Sequence, residues 1–494
     1  MATDPSRGPR TDLEQGSHIS GERELEHLGY KQELNRALSL VGNVALVVAS
    51  ITPATVLLII GPVALTQAGT GAFWAYLLAG AIAVCMALCF AELGSVYPTA
   101  GGQYPIVTRV LGKQVGFFVM LSYAVLGVFV PASIALGFGP YLATILPGVG
   151  PNLASTAVVV AATGVATLSI SDNAWVTKVI VTLELILLGG LLVLGISSIR
   201  QPISVLFDPV AVSQAGSVTT TVGLALIFSA VTTGLFSYSG YEVAITFSEE
   251  TQGEAQQIGR GVMIAATISI LFQVLPLAAV ILAAPNLGEF LRAEAPFTYV
   301  VESVIGPTGN VIVTIGILFA IFAAVQSLIL AFARFLYATG RDRAWPAVAS
   351  GSLTKISERF TSPWIAALVV GGLSALLTFF SDVALAVTFI GVLIAVNYGL
   401  IVVSALVSRI RRPDLHRPWR MPLWPVPPLA ALIGVGIALS QQRAVDLAIV
   451  AGIVAAGAVY YVLFLRPRRS YWRDPEGLSA EAQEETAQTE RQNG

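Results

Sequence analysis

Apolar residues in this chain gather in long blocks and do not alternate with polar ones. Twelve blocks stand out, near residues 38–65, 72–98, 114–143, 154–170, 175–198, 218–248, 259–284, 307–339, 363–380, 384–408, 421–440 and 444–465. A buried strand in a soluble protein shows apolar runs of roughly 4–8 residues. About 18 apolar residues are what a helix needs to cross ~30 Å of hydrocarbon. In lipid every backbone polar group must be satisfied within the protein, so unalternating blocks of this length are read as helices. The pattern predicts an all-α integral membrane protein with twelve transmembrane helices.

Two blocks are broken in the middle. The first break is Ser50-Ile51-Thr52-Pro53, and the second is the stretch from Gly234 to Gly240. They fall in the first and sixth blocks, the matching members of two five-helix halves spanning 29–200 and 201–408. The last two helices then occupy 409–469. No repetition is visible residue by residue, so the inverted repeat rests on helix count and break position. Interrupted helices at corresponding positions of two halves point to a substrate site at the membrane midplane.

The residues at the breaks suit that role. Pro53 has no N–H and favours the first position of a helix, and Thr52 before it is a good N-cap. A half-helix starting there aims the amides of Ala54 and Thr55 at the membrane centre, where a substrate carboxylate is stabilised. A proline kink with local repair of hydrogen bonds is the alternative. In the sixth block, unwound carbonyls between Gly234 and Gly240 can accept from an ammonium group. Phe236 or Tyr238 can offer it a π face, or either ring can simply pack. The candidate substrate contacts are therefore Ser50, Ile51, Thr52, Ala54, Thr55, Phe236, Ser237, Tyr238 and Gly240. Ser327, Asn397 and Tyr398 are weaker candidates, otherwise read as contacts between helices.

Composition agrees with the membrane reading: 55% of residues are hydrophobic and 11% charged, against about 25% charged in soluble domains. The net charge of −2 points to no partner class. The basic residues give orientation. Loops leaving odd-numbered helices hold Arg200, Arg292 and Arg443, so 27 less these three leaves 24 Lys and Arg for the tails, the other loops and their adjoining helix ends. Basic residues stay on the cytoplasmic side, which places both termini inside and the protein in the plasma (inner) membrane. The polar tails, 1–28 and 470–494, are expected to be disordered. The first carries no apolar core of a removable signal peptide.

Few ionisable groups lie inside the blocks, and there they are costly enough to suggest function. Glu92 is close to a cytoplasmic end and reads as the partner of a basic loop residue. Glu242 and Arg334 are read as a cytoplasmic gate pair, and Lys178 as reaching to the interface. Glu184 stands roughly nine residues, about 13 Å, into its helix. At that depth an ionised carboxylate is expensive, which suits it to take up and release a proton. Cys85 and Cys89, one turn apart, read as small buried side chains rather than a metal or redox motif. His18, His27 and His416 all fall in cytoplasmic segments. The segment Ala295–Ile305 reads either as a short interfacial or lid helix or as a plain loop. No cluster of His, Cys or Asp marks an enzyme, no phosphate-binding loop marks a pump, and two broken helices argue against a simple pore. Nothing in the pattern asks for a cofactor, a metal or nucleic acid.

Three motifs carry a family resemblance. Ala91-Glu92-Leu93-Gly94-Ser95-Val96-Tyr97-Pro98-Thr99-Ala100-Gly101-Gly102-Gln103-Tyr104, followed by Arg109 and Leu111-Gly112, resembles the helix 2–3 signature of the amino acid–polyamine–organocation superfamily. Phe236-Ser237-Tyr238-Ser239-Gly240-Tyr241-Glu242 with Ser248-Glu249-Glu250-Thr251 resembles its broken sixth helix. Arg334-Phe335-Leu336-Tyr337-Ala338 with Arg341-Asp342 and Pro346 is similar to its helix 8 ending. The resemblance covers residues 30–470. It implies a leucine-transporter-type fold of five plus five inverted helices with two more, working as a secondary transporter for amino acids or amines. It permits proton coupling, sodium coupling, exchange of substrate for product, or a nutrient sensor on the same fold; a proton is the expected ion. Many members have a glycine-rich run in helix 1, whereas this chain has no Gly between Gly42 and Gly61. Its Ser50-Ile51-Thr52-Pro53 resembles the branch of γ-aminobutyrate and choline permeases, which widens the expected substrates to amino acids, γ-aminobutyrate-like molecules and polyamines or other amines.

Overall fold

The computed structural model describes residues 38–468 and Trp472, apart from positions 100, 144, 147, 169, 213–217, 220–221, 254, 294 and 381–382. The tails 1–28 and 470–494, expected to be disordered, lie outside the described residues except for Trp472, as do His18 and His27.

The helices in chain order are α1 (Leu40–Ile51), α2 (Pro53–Ala68), α3 (Ala72–Val96), α4 (Gln103–Leu111), α5 (Lys113–Leu136), α6 (Phe138–Ala143) and α7 (Pro151–Ala166). Next come α8 (Ile170–Ser197), α9 (Ser204–Phe207), α10 (Leu224–Tyr238), α11 (Val243–Thr246), α12 (Gln256–Ala283), α13 (Leu287–Arg292) and α14 (Pro296–Arg341). The last are α15 (Ala347–Leu353), α16 (Trp364–Phe380), α17 (Val383–Arg411), α18 (Val426–Ser440) and α19 (Ala444–Tyr460). Strands β1 (Ala211–Val212) and β2 (Val218–Thr219) form a small antiparallel hairpin. Among the described residues, seven helical segments are long and apolar enough to cross a membrane, and four shorter apolar helices accompany them. One of the seven, Leu40–Val96, is 57 residues long and is interrupted at Thr52 and at the Gly69–Gly71 turn.

Large apolar side chains face outward along the helices. Leu429, Ile433 and Ile437 follow each other at four-residue steps on α18, and Leu183, Ile186 and Val193 do the same work on α8; all are exposed. In water such a belt would drive aggregation. Together with the apolar helices it makes this a multi-pass membrane protein.

Inside, α12 packs on α3 and α8, α10 on α2 and α3, α14 on α5, and α16 on α7. At the arginine-rich end, polar groups tie helices together. Glu92 near the end of α3 accepts from Arg409 Nε at 2.8 Å, pairs with Arg417 at 3.2 Å and takes the Met421 N–H at 2.7 Å. The start of α1 is capped by Ser39, whose hydroxyl accepts the Gly42 N–H at 3.1 Å. It is pinned to the turn after α11: Leu38 N–H donates to Glu250 O, Gln252 N–H donates to Leu38 O, and Asn43 donates to Thr251 Oγ1 at 2.6 Å. That turn is itself bound to α14 through Glu250–Arg334 and Glu249–Arg341.

The segment Ala295–Ile305 is helical. It forms the first turns of α14 and joins the long remainder at Gly306, whose φ of 74° breaks the helix. Phe297 from this short arm is buried against α2, its ring 3.1 Å from where a Cβ on Gly61 would stand.

Candidate functional site

The first break is a single residue. Thr52 sits in the left-handed region at φ 55°, ψ 56°, ending α1 and starting α2 at Pro53. Ala49 loses its helical donor because Pro53, four residues on, has no N–H. The expected N-cap bond from Thr52 is absent, because the left-handed backbone turns its hydroxyl away from the amides of α2. Those amides are not free for a substrate either. Ala54 N–H and Thr55 N–H both donate to Glu184 Oε1 on α8, at 3.0 and 3.4 Å. A carboxylate does seat on this helix start, but it belongs to the chain itself. Glu184 is buried.

The second break is shorter than the sequence suggested and lies further along. Helix α10 runs through Gly234 to Tyr238, and the chain unwinds only over Ser239–Glu242. Gly234 is a packing glycine: a Cβ there would stand 2.7 Å from Ala79 on α3. Gly240 is the conformational one, at φ 115°, with a would-be Cβ 3.0 Å from Ile51 N, Ile51 Cα and Ser50 O. The two breaks therefore touch backbone to backbone, as only a glycine permits.

Beside this contact is a cavity of about 30 Å³, room for one or two waters. Among the predicted residues it is lined by Ser50, Ile51, Thr52, Phe236 and Gly240, together with Glu242. Ala54, Thr55 and Glu184 do not line it; they form the bonded seat behind Thr52. Ser237 and Tyr238 also turn away, their hydroxyls bonded to Tyr76 Oη at 2.8 Å and Tyr76 O at 3.1 Å. A tight helical stretch cannot aim consecutive side chains at one point, so only Phe236 of the three faces inward.

Glu242 and Arg334 do not form the expected gate pair. Arg334 makes a two-pronged bond to Glu250, at 2.5 and 3.1 Å, because the turn after α11 brings Glu250 rather than Glu242 against α14. Glu242 lines the cavity instead, and its Oε2 accepts the Gly240 N–H at 2.9 Å. Tyr398 Oη on α17 donates to the same oxygen, and Tyr123 Oη on α5 reaches Oε1 at 3.4 Å. Tyr398, a weak candidate in the sequence, thus holds the carboxylate at the centre. Asn397 and Ser327 are buried with side-chain polar atoms that have no hydrogen-bond partner among the described residues.

Sequence reasoning missed most of the remaining wall. Leu126, Val130 and Ile134 come from α5, Leu328 and Phe332 from α14, and Ile394 from α17. The ring of Phe332 stands 5.0 Å from that of Tyr123. Their steps of four along α5 and α14 are the only sequence signal, and any buried helix face shows it. Neither Glu242 in the cavity wall nor Glu184 behind Thr52 makes an ion pair among the described residues.

Known proteins match this chain along nearly its whole length. The amino acid permease family profile matches residues 37–464. An uncharacterized transporter of Mycobacterium tuberculosis is 30% identical over 91% of this chain and 96% of its own length. A branched-chain amino acid permease of Bacillus subtilis is 23% identical over 82% of this chain and 87% of its own. A methylthioribose transporter of the same bacterium is 22% identical over 88% and 94%.

Proposed function

The chain belongs to the amino acid permease family, a family of transporters and not of enzymes, and from that premise we propose that it moves amino acids or related amines by alternating access, coupled to protons. The observation that carries the reading is the contact of two broken helices, Ser50 and Ile51 against Gly240, beside a small cavity lined from both. A cavity between discontinuous helices is where such transporters hold substrate while the halves rock about it. The cargo is open on family grounds, since one relative is named for branched-chain amino acids and another for methylthioribose.

Twelve passes in five plus five plus two is the arrangement proposed with it. Counting the 57-residue segment as two passes and adding the four shorter apolar helices gives twelve. Packing supports the repeat: α2 lies on α10, α3 on α12, α5 on α14 and α7 on α16, each helix against the one five blocks later. The arginine distribution supports cytoplasmic termini in the plasma membrane.

Glu184 is the proposed proton carrier. Both α2 amides bond to one of its oxygens, Oε1, so a proton on Oε2 removes the charge facing the helix start without breaking the seat. Loss of that charge weakens the hold on α2 and lets it move. The test is uptake into proteoliposomes under an imposed pH gradient. Wild type concentrates substrate, while Glu184→Gln, which keeps the acceptor oxygen but cannot titrate, exchanges labelled substrate without concentrating it. Exchange in wild type with no response to the gradient assigns substrate–product exchange instead. Concentration by Glu184→Gln equal to wild type removes Glu184 as the carrier.

A further inference from the structure

The polar groups around the cavity have one sign, and their accounting restricts what the site can hold. The start of α2 is the natural seat for a substrate carboxylate, yet each of its N–H groups is taken. Thr52 N–H donates to Val48 O at 2.9 Å, Pro53 has none, Ala54 and Thr55 donate to Glu184, and Val56 N–H donates to Thr52 O at 2.9 Å. At the second break, Gly240 N–H is taken by Glu242 and Tyr398. Among the described residues, no Arg, Lys or His lines the cavity. A carboxylate placed there would be buried without a cation and without the backbone amides at the start of α2, which is costly.

The groups that do face the cavity attract a cation. Glu242 is a carboxylate in its wall with no basic partner among the described residues. Helix α1 ends there, and its terminal carbonyls carry the negative end of the helix dipole. Phe236, Phe332 and Tyr123 add aromatic faces, which attract an ammonium group. Val56, Leu126, Val130, Ile134, Leu328 and Ile394 make the larger part of the wall apolar, and Ser50, Thr52 and Ser239 add neutral hydroxyls. The wall has room in its chemistry for one cation and a hydrocarbon body, and no second anion for a diamine.

We infer that the site between the breaks, once it widens beyond the one or two waters' room it has in this state, takes a small primary monoamine with an apolar body, and that Glu184, seated on α2, excludes the corresponding α-amino acids by occupying the place of their carboxylate. This rests on the transport reading of the same site and names its substrate class. Protonation of Glu184 leaves the exclusion intact, because Oε1 still holds both amides.

Matched pairs that differ only by the carboxylate test it: 3-methylbutylamine against leucine, and phenethylamine against phenylalanine. Binding is read as thermal stabilisation of the purified protein, and transport as counterflow in proteoliposomes. Wild type binds each amine more than about tenfold tighter than its amino acid. Glu242→Gln loses the response to amines. Glu184→Ala, which empties the seat, gains a response to leucine and phenylalanine, whereas Glu184→Gln, which keeps it filled, does not. Amino acids bound by wild type as tightly as their amines overturn the inference even if the variants misfold, and so does the absence of any amine-induced stabilisation. Amine binding without counterflow leaves the inference standing and refutes the transport reading alone.

Discussion

Thr52 and Gly240 stand at the two helix breaks, both at positive φ, and only one of them is a glycine. A non-glycine residue in the left-handed region costs roughly 1–2 kcal/mol, and Thr52 bears this at φ 55° with no capping bond in return. Thr52→Gly should therefore stabilise the protein by roughly 0.5–1 kcal/mol, after allowing for the extra freedom of glycine in the unfolded chain. Gly240→Ala should do the reverse. Its Cβ would stand 3.0 Å from three backbone atoms, and a strained backbone of this kind costs about 1–3 kcal/mol. Thermal melts in detergent check both, and a lower melting temperature for Thr52→Gly would count against the assignment of strain. The residue scale is also where the sequence was hardest to read. That Pro53 would break a helix is a property of one residue and was legible. That Glu184 would fill the seat Pro53 opens depends on the rotation of α8 against α2, across 130 positions of chain, and no local pattern encodes it.

Between elements, the acidic turn after α11 binds α14 on one side and the start of α1 on the other at the arginine-rich end. Arg334 and Glu250 are both buried, and their two-pronged bond is a close one. Removing one partner of such a pair strands a buried charge at a cost of about 3–5 kcal/mol, while replacing both with apolar residues is far milder. Arg334→Leu should therefore lower the melting temperature sharply, and Arg334→Leu with Glu250→Leu should recover most of the loss. A double variant as unstable as the single one would mean that the arginine acts through its other contacts, such as the Leu330 carbonyl. Helix boundaries were largely legible, because block length and proline placement are local. Pairing was not: Glu242, Glu249 and Glu250 all lie within nine residues of one another, and only the turn at 248–250 decides which of them meets Arg334. Gly234 misled for a related reason, since a glycine that allows close packing looks in sequence like one that allows a break.

For the whole molecule, the arginine asymmetry makes a prediction about sidedness. Cys85 and Cys89, half-buried and buried, can be replaced to give a background without thiols. On it, Arg292→Cys should react with an impermeant reagent in intact cells, and Arg411→Cys only in inside-out vesicles. Labelling of both from one face would refute the proposed topology. Composition and block count made the membrane class legible at this scale, because 55% hydrophobic content leaves little else possible. The five-block offset in packing was only hinted at by the matched breaks, since residues 29–200 and 201–408 share no visible residue pattern.

The two acids of the turn also set how its hold on α14 can be released. Glu250 grips Arg334, and its neighbour Glu249 grips Arg341, seven residues or about 10 Å along the same face of the helix. A plug with two prongs at fixed spacing fits its socket in one register. Sliding by a turn would leave both prongs facing side chains of the wrong kind, so creep along the shaft gains nothing at any intermediate position. The turn therefore leaves by lifting off its arginines and not by sliding along them. Because Leu38 and Asn43 are stapled to the same turn, the start of α1 is carried with it.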